Sequence, residues 1–263
     1  MANFWRDQYI VNISVTEDIL KQINTLFVSR IKGLNDSVQD NDPNKKIFIN
    51  YIIRFDGKGY RIFSLEELLR YFDQAKQIER IIFTLENSES LGSNRQTGIC
   101  IELKLDQLTA NGCSLLVTSN DENWVDASFS AIQDVLTKCK NKHGWMRTAW
   151  TPLSIQIVGV AVGFFISLWA AVKISPKLSI QNSFVICFLF ILLIFSNTWG
   201  YLNQKILFFV DCVFPNLKFY RPNKDQSHWF TQAIIGGIAL AITLWILSFA
   251  FSYIGNVLSE IVN

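Results

Sequence analysis

The chain has 263 residues, half of them hydrophobic, and its 24 basic and 22 acidic side chains leave a net charge of +2. Residues 1–147 hold 18 Lys or Arg against 19 Asp or Glu, and residues 148–263 hold 6 against 3; neither half is a polycation, which argues against a purely electrostatic nucleic-acid binder. The five cysteines, Cys100, Cys113, Cys139, Cys187 and Cys212, form no CxxC pair and are odd in number, so neither a zinc site nor a closed disulfide framework is expected, and free thiols in a reducing compartment are.

Met1 to Val15 carries Arg6 and Asp7 and no long apolar stretch, so no secretory signal is read there and the front half is expected in the cytoplasm. Apolar residues fall on odd positions from Tyr9 to Val15, predicting a strand. Glu17-Asp18 then opens a helix whose apolar residues, Ile19 to Ile31, recur at three and four, running to about Asn35. Asp36 to Lys46 reads as a solvated loop. Ile47 to Phe55 reads as a strand, Asp56-Gly57-Lys58-Gly59 as a hairpin turn and Tyr60 to Phe63 as the return.

Ser64-Leu-Glu-Glu67 has the form of a capping box and predicts a helix to about Gln77. Three strands follow, Arg80 to Glu86, Gly98 to Asp106 and Cys113 to Ser119, and then a helix capped by Asn120-Asp121 and buried along Trp124, Val125, Phe129, Ile132, Val135 and Leu136. This order predicts an α+β domain over 1–147, an antiparallel sheet with helices on one face. The alternation places Ile49, Tyr51, Ile53, Ile81, Phe83, Leu85, Ile99, Ile101, Leu103, Leu115 and Val117 on the covered side. The other side would show Phe48, Asn50, Ile52, Arg54, Ile82, Thr84, Glu86, Cys100, Glu102, Lys104, Leu116 and Thr118. That mixture is too apolar for plain solvent; a partner, a neighbouring subunit, a ligand or another helix of this chain would suit it.

Residues 148–263 contain three charge-free apolar runs, Thr148 to Val172, Leu178 to Gln204 and Trp229 to Ser259. A hydrocarbon core of about 30 Å is crossed by roughly 20 helical residues, so an all-α transmembrane domain of three helices is expected, with spans near 151–173, 180–202 and 230–257. Lys138, Lys140, Lys142 and Arg147 precede the first run, and Lys205, Lys218, Arg221 and Lys224 separate the second from the third. Lys173 and Lys177 alone lie between the first and second. This bias puts the α+β domain and the second connection on the cytoplasmic side. Within that connection Ile206 to Val210 and Val213-Phe-Pro215 are apolar, as in an interfacial or re-entrant piece.

Catalytic chemistry finds no anchor. His143 and His228 lie near membrane boundaries, and no HExxH, GxSxG or P-loop string occurs; Gly57 and Gly59 fit a tight turn better than a phosphate cradle. Glu86, Glu102 and Asp106 would meet on neighbouring strands, where Lys104 or Arg80 can pair with them. The chain is therefore not expected to be an enzyme, and no metal or cofactor is expected. In the membrane half, Gly159, Gly163 and Ser167 share one stripe of the first span, and Ser248 and Ser252 share another in the third. Such stripes allow close packing of helices within or between subunits. Asn197, Thr243 and Ser248 are, with Ser167, candidates for lining an uncharged path.

Ser114-Leu-Leu-Val-Thr-Ser-Asn-Asp-Glu-Asn-Trp-Val125, the basic helix end before the first span, and Val213-Phe-Pro-Asn-Leu-Lys-Phe219 are similar to a loose class of bacterial membrane proteins of unassigned function. The overall plan resembles membrane effectors of bacterial anti-phage systems, in which a nucleotide or oligonucleotide signal controls an oligomer that permeabilises the inner membrane. The resemblance implies a homo-oligomeric, channel-like effector in the bacterial inner membrane with a cytoplasmic sensor; a membrane-tethered scaffold is the alternative. Arg54, Lys58, Arg61 and Lys104 are the candidate ligand contacts, as cations that could meet phosphate groups.

Overall fold

The computed structural model describes residues 3–35, 46–109, 112–141 and 144–221, together with Ile234 and Gly237. His143, His228, Thr243, Ser248 and Ser252 lie outside them, as do all but two residues of the expected third span. The chain divides into two compact units, one of Met1–Arg147 with Phe214–Arg221 and one that includes Thr148–Val213.

The first unit is an α+β domain. Its sheet has six antiparallel strands, β1 (Phe4–Tyr9), β3 (Ile47–Phe55), β4 (Lys58–Ile62), β5 (Ile78–Asn87), β6 (Cys100–Asp106) and β7 (Ser114–Ser119), in the order β1-β7-β6-β5-β3-β4. β3 and β4 are joined through Asp56 and Gly57 at φ of +50° and +76°, the doubly left-handed turn whose twist matches a two-residue hairpin. α1 (Glu17–Asn35), α2 (Leu65–Gln74) and α4 (Glu122–Lys138) pack on the sheet or on one another. They bury Leu20, Ile23 and Phe27, then Leu68 and Phe72, then Val125, Phe129 and Ile132 in one core with the odd-numbered side chains of β3, β5, β6 and β7. Phe83 sits at the centre, its ring edge-on to Phe27 at 5.7 Å and to Tyr51 at 5.2 Å. α4 starts as expected, with Asp121 Oδ1 accepting from the backbone N–H groups of Asn123 and Trp124.

Several boundaries differ from the sequence reading. The expected strand Tyr9 to Val15 is two strands, β1 and β2 (Ile13–Val15). They are separated at Asn12, whose φ of +59° breaks extended backbone. Ser64 flanks α2 with no side-chain cap bond, so the capping box does not form there. Gly98 belongs to a turn and not to β6: its φ is +84°, and a Cβ there would stand 2.6 Å from Asn87 Oδ1. The connection between β5 and β6 holds an unforeseen short helix, α3 (Ser88–Gly92), opened by Asn87 Oδ1 accepting from Ser90 N–H at 2.9 Å.

The second unit contains α5 (Trp150–Ile174) and α6 (Ser183–Val213). Both are long and apolar enough to cross a membrane. At 1.5 Å per residue they extend about 38 and about 46 Å. α6 absorbs Ile206 to Val210, which is therefore helix.

The segment after α6 is the largest departure. Val213-Phe-Pro-Asn-Leu-Lys-Phe219 leaves the helix, and β8 (Leu217–Phe219) pairs parallel with β2, Ile13 opposite Leu217 and Val15 opposite Phe219. Leu217 and Phe219 are buried in the core of the first unit, Phe219 edge-on to Phe72 at 6.1 Å. The chain thus leaves the α+β unit after Arg147, makes α5 and α6, and returns to it at Phe214. A parallel pair requires a crossover connection, and here α5 and α6 lie within it.

Candidate functional site: the open face of the sheet

Antiparallel register fixes which side chains share the face turned away from α1, α2 and α4. One row runs Arg61, Ile52, Ile82, Lys104, Ser114 and Tyr9 across β4, β3, β5, β6, β7 and β1; the next runs Asn50, Thr84, Glu102, Leu116 and Asp7; a third runs Phe48, Glu86, Cys100, Thr118 and Trp5. Trp5 and Tyr9 remain 75% and 68% exposed.

The candidate cations fare differently. Arg61 and Lys104 lie on the open face, Arg61 exposed on the edge strand β4 and Lys104 half-buried on β6. Arg54 shares the face but its Nε stands 2.6 Å from Glu79 Oε2. Lys58 does not share it: opposite Phe55 it has the parity of Tyr60 and Ile62, which line the helix side. Sequence alternation alone cannot place β4, because Asp56-Gly57 consumes two residues before the pairing restarts.

One end of the face is closed by the β5–β6 connection. Arg95 Nη1 donates to Glu102 Oε2, and its Nε lies 3.6 Å from Glu86 Oε2. Asn94 and Arg95 both adopt left-handed backbone, φ +53° and +65°, conformations costly for non-glycine residues and held by surrounding contacts. Glu86 is 4% exposed and also accepts from Asn50 Nδ2 at 3.2 Å. Burial pushes the neighbouring Cys100 thiol up to about 11, so it is a packed thiol and not a nucleophile at neutral pH. At the opposite end Arg80 Nη2 meets the buried Asp106 carboxylate at 2.6 Å. The carboxylates of this face thus serve as counter-ions to arginine. Asp7 is the exception among the described residues.

Sequence reading missed Trp5, Asp7, Tyr9 and Arg95. β1 is exposed along its whole length, so it lacks the alternation that marks a half-buried strand. Arg95 lies in a connection with no periodicity.

In the second unit the small-residue stripe is the seam between α5 and α6. Gly159, Gly163 and Ser167 are buried; a Cβ at Gly159 would stand 1.8 Å from the Trp199 ring, and one at Gly163 would stand 2.3 Å from that of Phe195. Trp199 Nε1 donates to Gln156 Oε1 at 3.2 Å, and Ser167 Oγ donates to Gly163 O at 2.7 Å. Aromatic rings fill this seam, and Ser167 spends its hydroxyl on its own helix. Asn197 points away from the seam and is exposed on α6. Comparison with protein-family models, with curated proteins and with solved structures finds no match to this chain.

Proposed function

We propose that the chain is a membrane effector: a cytoplasmic α+β domain receives a ligand or partner on its open sheet face and controls an oligomer of its membrane helices. The observation that carries this reading is the path of the chain. Two helices of spanning length are inserted between Arg147 and Phe214, and both flanks belong to the same α+β unit. A hairpin with both feet in one folded domain has both on one side of the bilayer, so it crosses twice. The basic residues at both feet put that side in the cytoplasm. α5 and α6 expose Ile157, Phe164, Phe190, Leu193 and Phe208 among many apolar side chains, a surface far larger than water tolerates on a soluble monomer.

The filled seam bears on conduction. A single hairpin whose helices meet through Trp199 and Phe195 has no path between them, so permeation requires several copies around a shared axis, and the exposed Asn197, between the exposed Ser196 and Thr198, is one polar group available to such a path. The architectural likeness to anti-phage effectors supplies the setting, a bacterial inner membrane opened on a signal. The same filled seam also suits a membrane-tethered scaffold that never conducts.

Full-length protein reconstituted into liposomes loaded with a self-quenched dye separates the two. Dye release that responds to a cell-derived nucleotide extract and falls in Asn197→Leu supports the effector. Sealed vesicles under every condition, with the protein inserted, establish the tether.

A further inference from the structure

We propose that β1 is a strand-addition site: an extended segment of a partner protein, basic at one position and apolar two residues to either side, pairs antiparallel with its free edge. This names a partner for the α+β unit as the receiving domain and rests on that reading. Backbone, charge and shape each point to this occupant.

The backbone comes first. Ile10 N–H donates to Cys113 O at 3.0 Å, and antiparallel hydrogen bonding repeats at every second residue. The even-numbered residues of β1 therefore spend their backbone groups on β7, and Trp5, Asp7 and Tyr9 turn theirs outward. β1 is the last strand of the sheet on that side, and among the described residues no strand pairs with it there. Edge strands are ordinarily blunted by lysine, proline or a bulge, and glycine weakens pairing. β4, the opposite edge, carries Lys58, Gly59 and Arg61. β1 reads Phe-Trp-Arg-Asp-Gln-Tyr, in unbroken register with β7. Its one cation, Arg6, is drawn to the helix side, where Asp126 meets it at 2.8 Å and the Phe129 ring lies beneath it. Nothing in β1 itself discourages a further strand.

Charge selects the partner. Side chains two apart share a face, so Trp5, Asp7 and Tyr9 form a row, the two rings 75% and 68% exposed. Asp7 has no ion pair among the described residues. A strand laid beside this row sets one of its own side chains opposite each member. Lys or Arg opposite Asp7 neutralises it, and apolar side chains opposite Trp5 and Tyr9 cover rings that folding leaves in water. A second copy of this chain fits worse. In the register of fullest overlap it brings its own Asp7 against Asp7, and like charges directly opposite are destabilising.

Shape supplies the remaining specificity. A hollow of about 80 Å³ opens between the end of β1 and α4, lined by Gln8, Ile10, Leu136, Thr137 and Lys140 among others. Ile10 and Leu136, 8% and 5% exposed, give it an apolar floor. On an added strand the residue opposite Gln8 points to the helix side, toward this hollow, which suits Leu or Val. In strand addition the main chain gives affinity, and pockets for alternate side chains give the choice of partner.

The experiment titrates the full chain in detergent into fluorescein-labelled Thr-Val-Leu-Lys-Leu-Val-Thr and follows anisotropy, with detergent alone as the blank. Saturable binding is expected. With Lys opposite Asp7, its amide faces β1, so N-methylation there should weaken binding about tenfold or more. N-methylation of the leucine before it, whose amide faces away, should be tolerated. The peptide with Glu for Lys should bind about threefold weaker or worse. Asp7→Lys should reverse that order and prefer the Glu peptide, which a purely structural role for Asp7 would not produce. Trp5→Ala and Tyr9→Ala should each weaken binding about threefold. Lys21→Gln, on α1, should change nothing. Thermal melts establish that each variant is folded.

Absence of saturable binding overturns the proposal, as does a preference for the lysine peptide that survives Asp7→Lys, or indifference to methylation of the lysine amide. Asp7→Cys chains that join to one another through that cysteine and take up no peptide would give the edge to a second copy, and overturn it too. Dye release by another trigger from a chain that ignores the peptide would sink this inference alone; peptide binding with vesicles that stay sealed would sink the effector reading and leave the strand-addition site standing.

Discussion

Asn12 and Asn216, 204 residues apart, are joined by a hydrogen bond in which the Asn12 backbone N–H donates to Asn216 Oδ1 at 2.8 Å. The same carboxamide donates through Nδ2 to Ile10 O at 3.1 Å, and the Ile13 N–H donates to Asn216 O at 3.0 Å. One buried side chain therefore satisfies the backbone where β1 breaks into β2 and fastens the strand that follows α6. Arg147 Nη1 donates to Phe214 O at 3.3 Å, linking the segment that leads into α5 to the residue after α6. Arg221 then reaches the carbonyls at the C-terminal end of α2, those of Phe72, Ala75 and Lys76, the end that a helix dipole makes attractive to a cation.

Asn216→Ala should destabilise the α+β unit by about 1–3 kcal/mol, because it strands the Asn12 N–H and the Ile10 carbonyl without partners. A lowered melting temperature of the full chain in detergent is the readout, together with faster proteolytic cutting near Phe214. An unchanged melt would mean that β8 does not depend on this side chain.

The proposed double crossing makes a labelling prediction. Cys212 is exposed near the end of α6, Cys100, Cys113 and Cys187 are buried, and Cys139 is intermediate. In a Cys139→Ser background, a membrane-impermeant maleimide should label Cys212 from the side on which an N-terminal tag is protease-sensitive. Labelling from the opposite side would refute a hairpin with both feet in one compartment.

Gly159→Leu and Gly163→Leu should separate α5 from α6, since no side chain fits under Trp199 or Phe195 without displacing a ring. Overpacking of this kind costs about 1–3 kcal/mol or more. Gly200, with nothing within 4 Å of an added Cβ, is the control. Thermal unfolding in detergent should fall for the first two and hold for Gly200→Ala.

Cys100 makes stability depend on alkaline pH. Its thiol is pushed by burial from 9.0 to about 11, so between those values the folded chain keeps a proton that the unfolded chain releases. The folded state then binds more protons, and stability must fall as pH rises, by at most about 3 kcal/mol from this group. Denaturant titrations across that window should show a shallower loss in Cys100→Ala than in the parent. Equal slopes would exclude Cys100 as the source.

Arg95→Ala should leave Glu86 buried without its cation, a change that costs about 3–5 kcal/mol when a buried pair is broken. Arg95→Lys, which keeps the charge but loses the planar fork, should recover part of the loss. Urea midpoints of the three proteins give the comparison, and equal midpoints would show that the β5–β6 connection is held by other contacts.

Much of the first unit was legible because its strands and helices bury one face each. β3, β5, β6 and β7 announce themselves by period-two alternation, and α1 and α4 by apolar residues at three and four, so even the membership of the open face follows from parity. Lys58 was misplaced because a turn resets that parity in β4. Trp5 and Tyr9 went unread because an edge strand exposed along its whole length carries no alternation at all. The row that joins Arg61, Lys104 and Tyr9 across β4, β6 and β1 is correspondingly hard to see in one dimension, because no local window contains it.

The second unit divides in the same way. Length and apolarity alone determined that α5 and α6 can cross a membrane, because the hydrocarbon thickness sets the requirement without reference to any neighbour. Gly159, Gly163 and Ser167 were recognisable as a packing stripe for a similar reason: small residues four apart lie on one helix face. Their partner was not, since only the tertiary structure selects Trp199 and Phe195. The role of Val213 to Phe219 was likewise decided by the fold. A seven-residue segment of mixed polarity beside a long apolar run reads equally well as interfacial helix, loop or strand, and its pairing with Ile13–Val15 depends on residues some two hundred positions away, a distance over which only three-dimensional contact carries information.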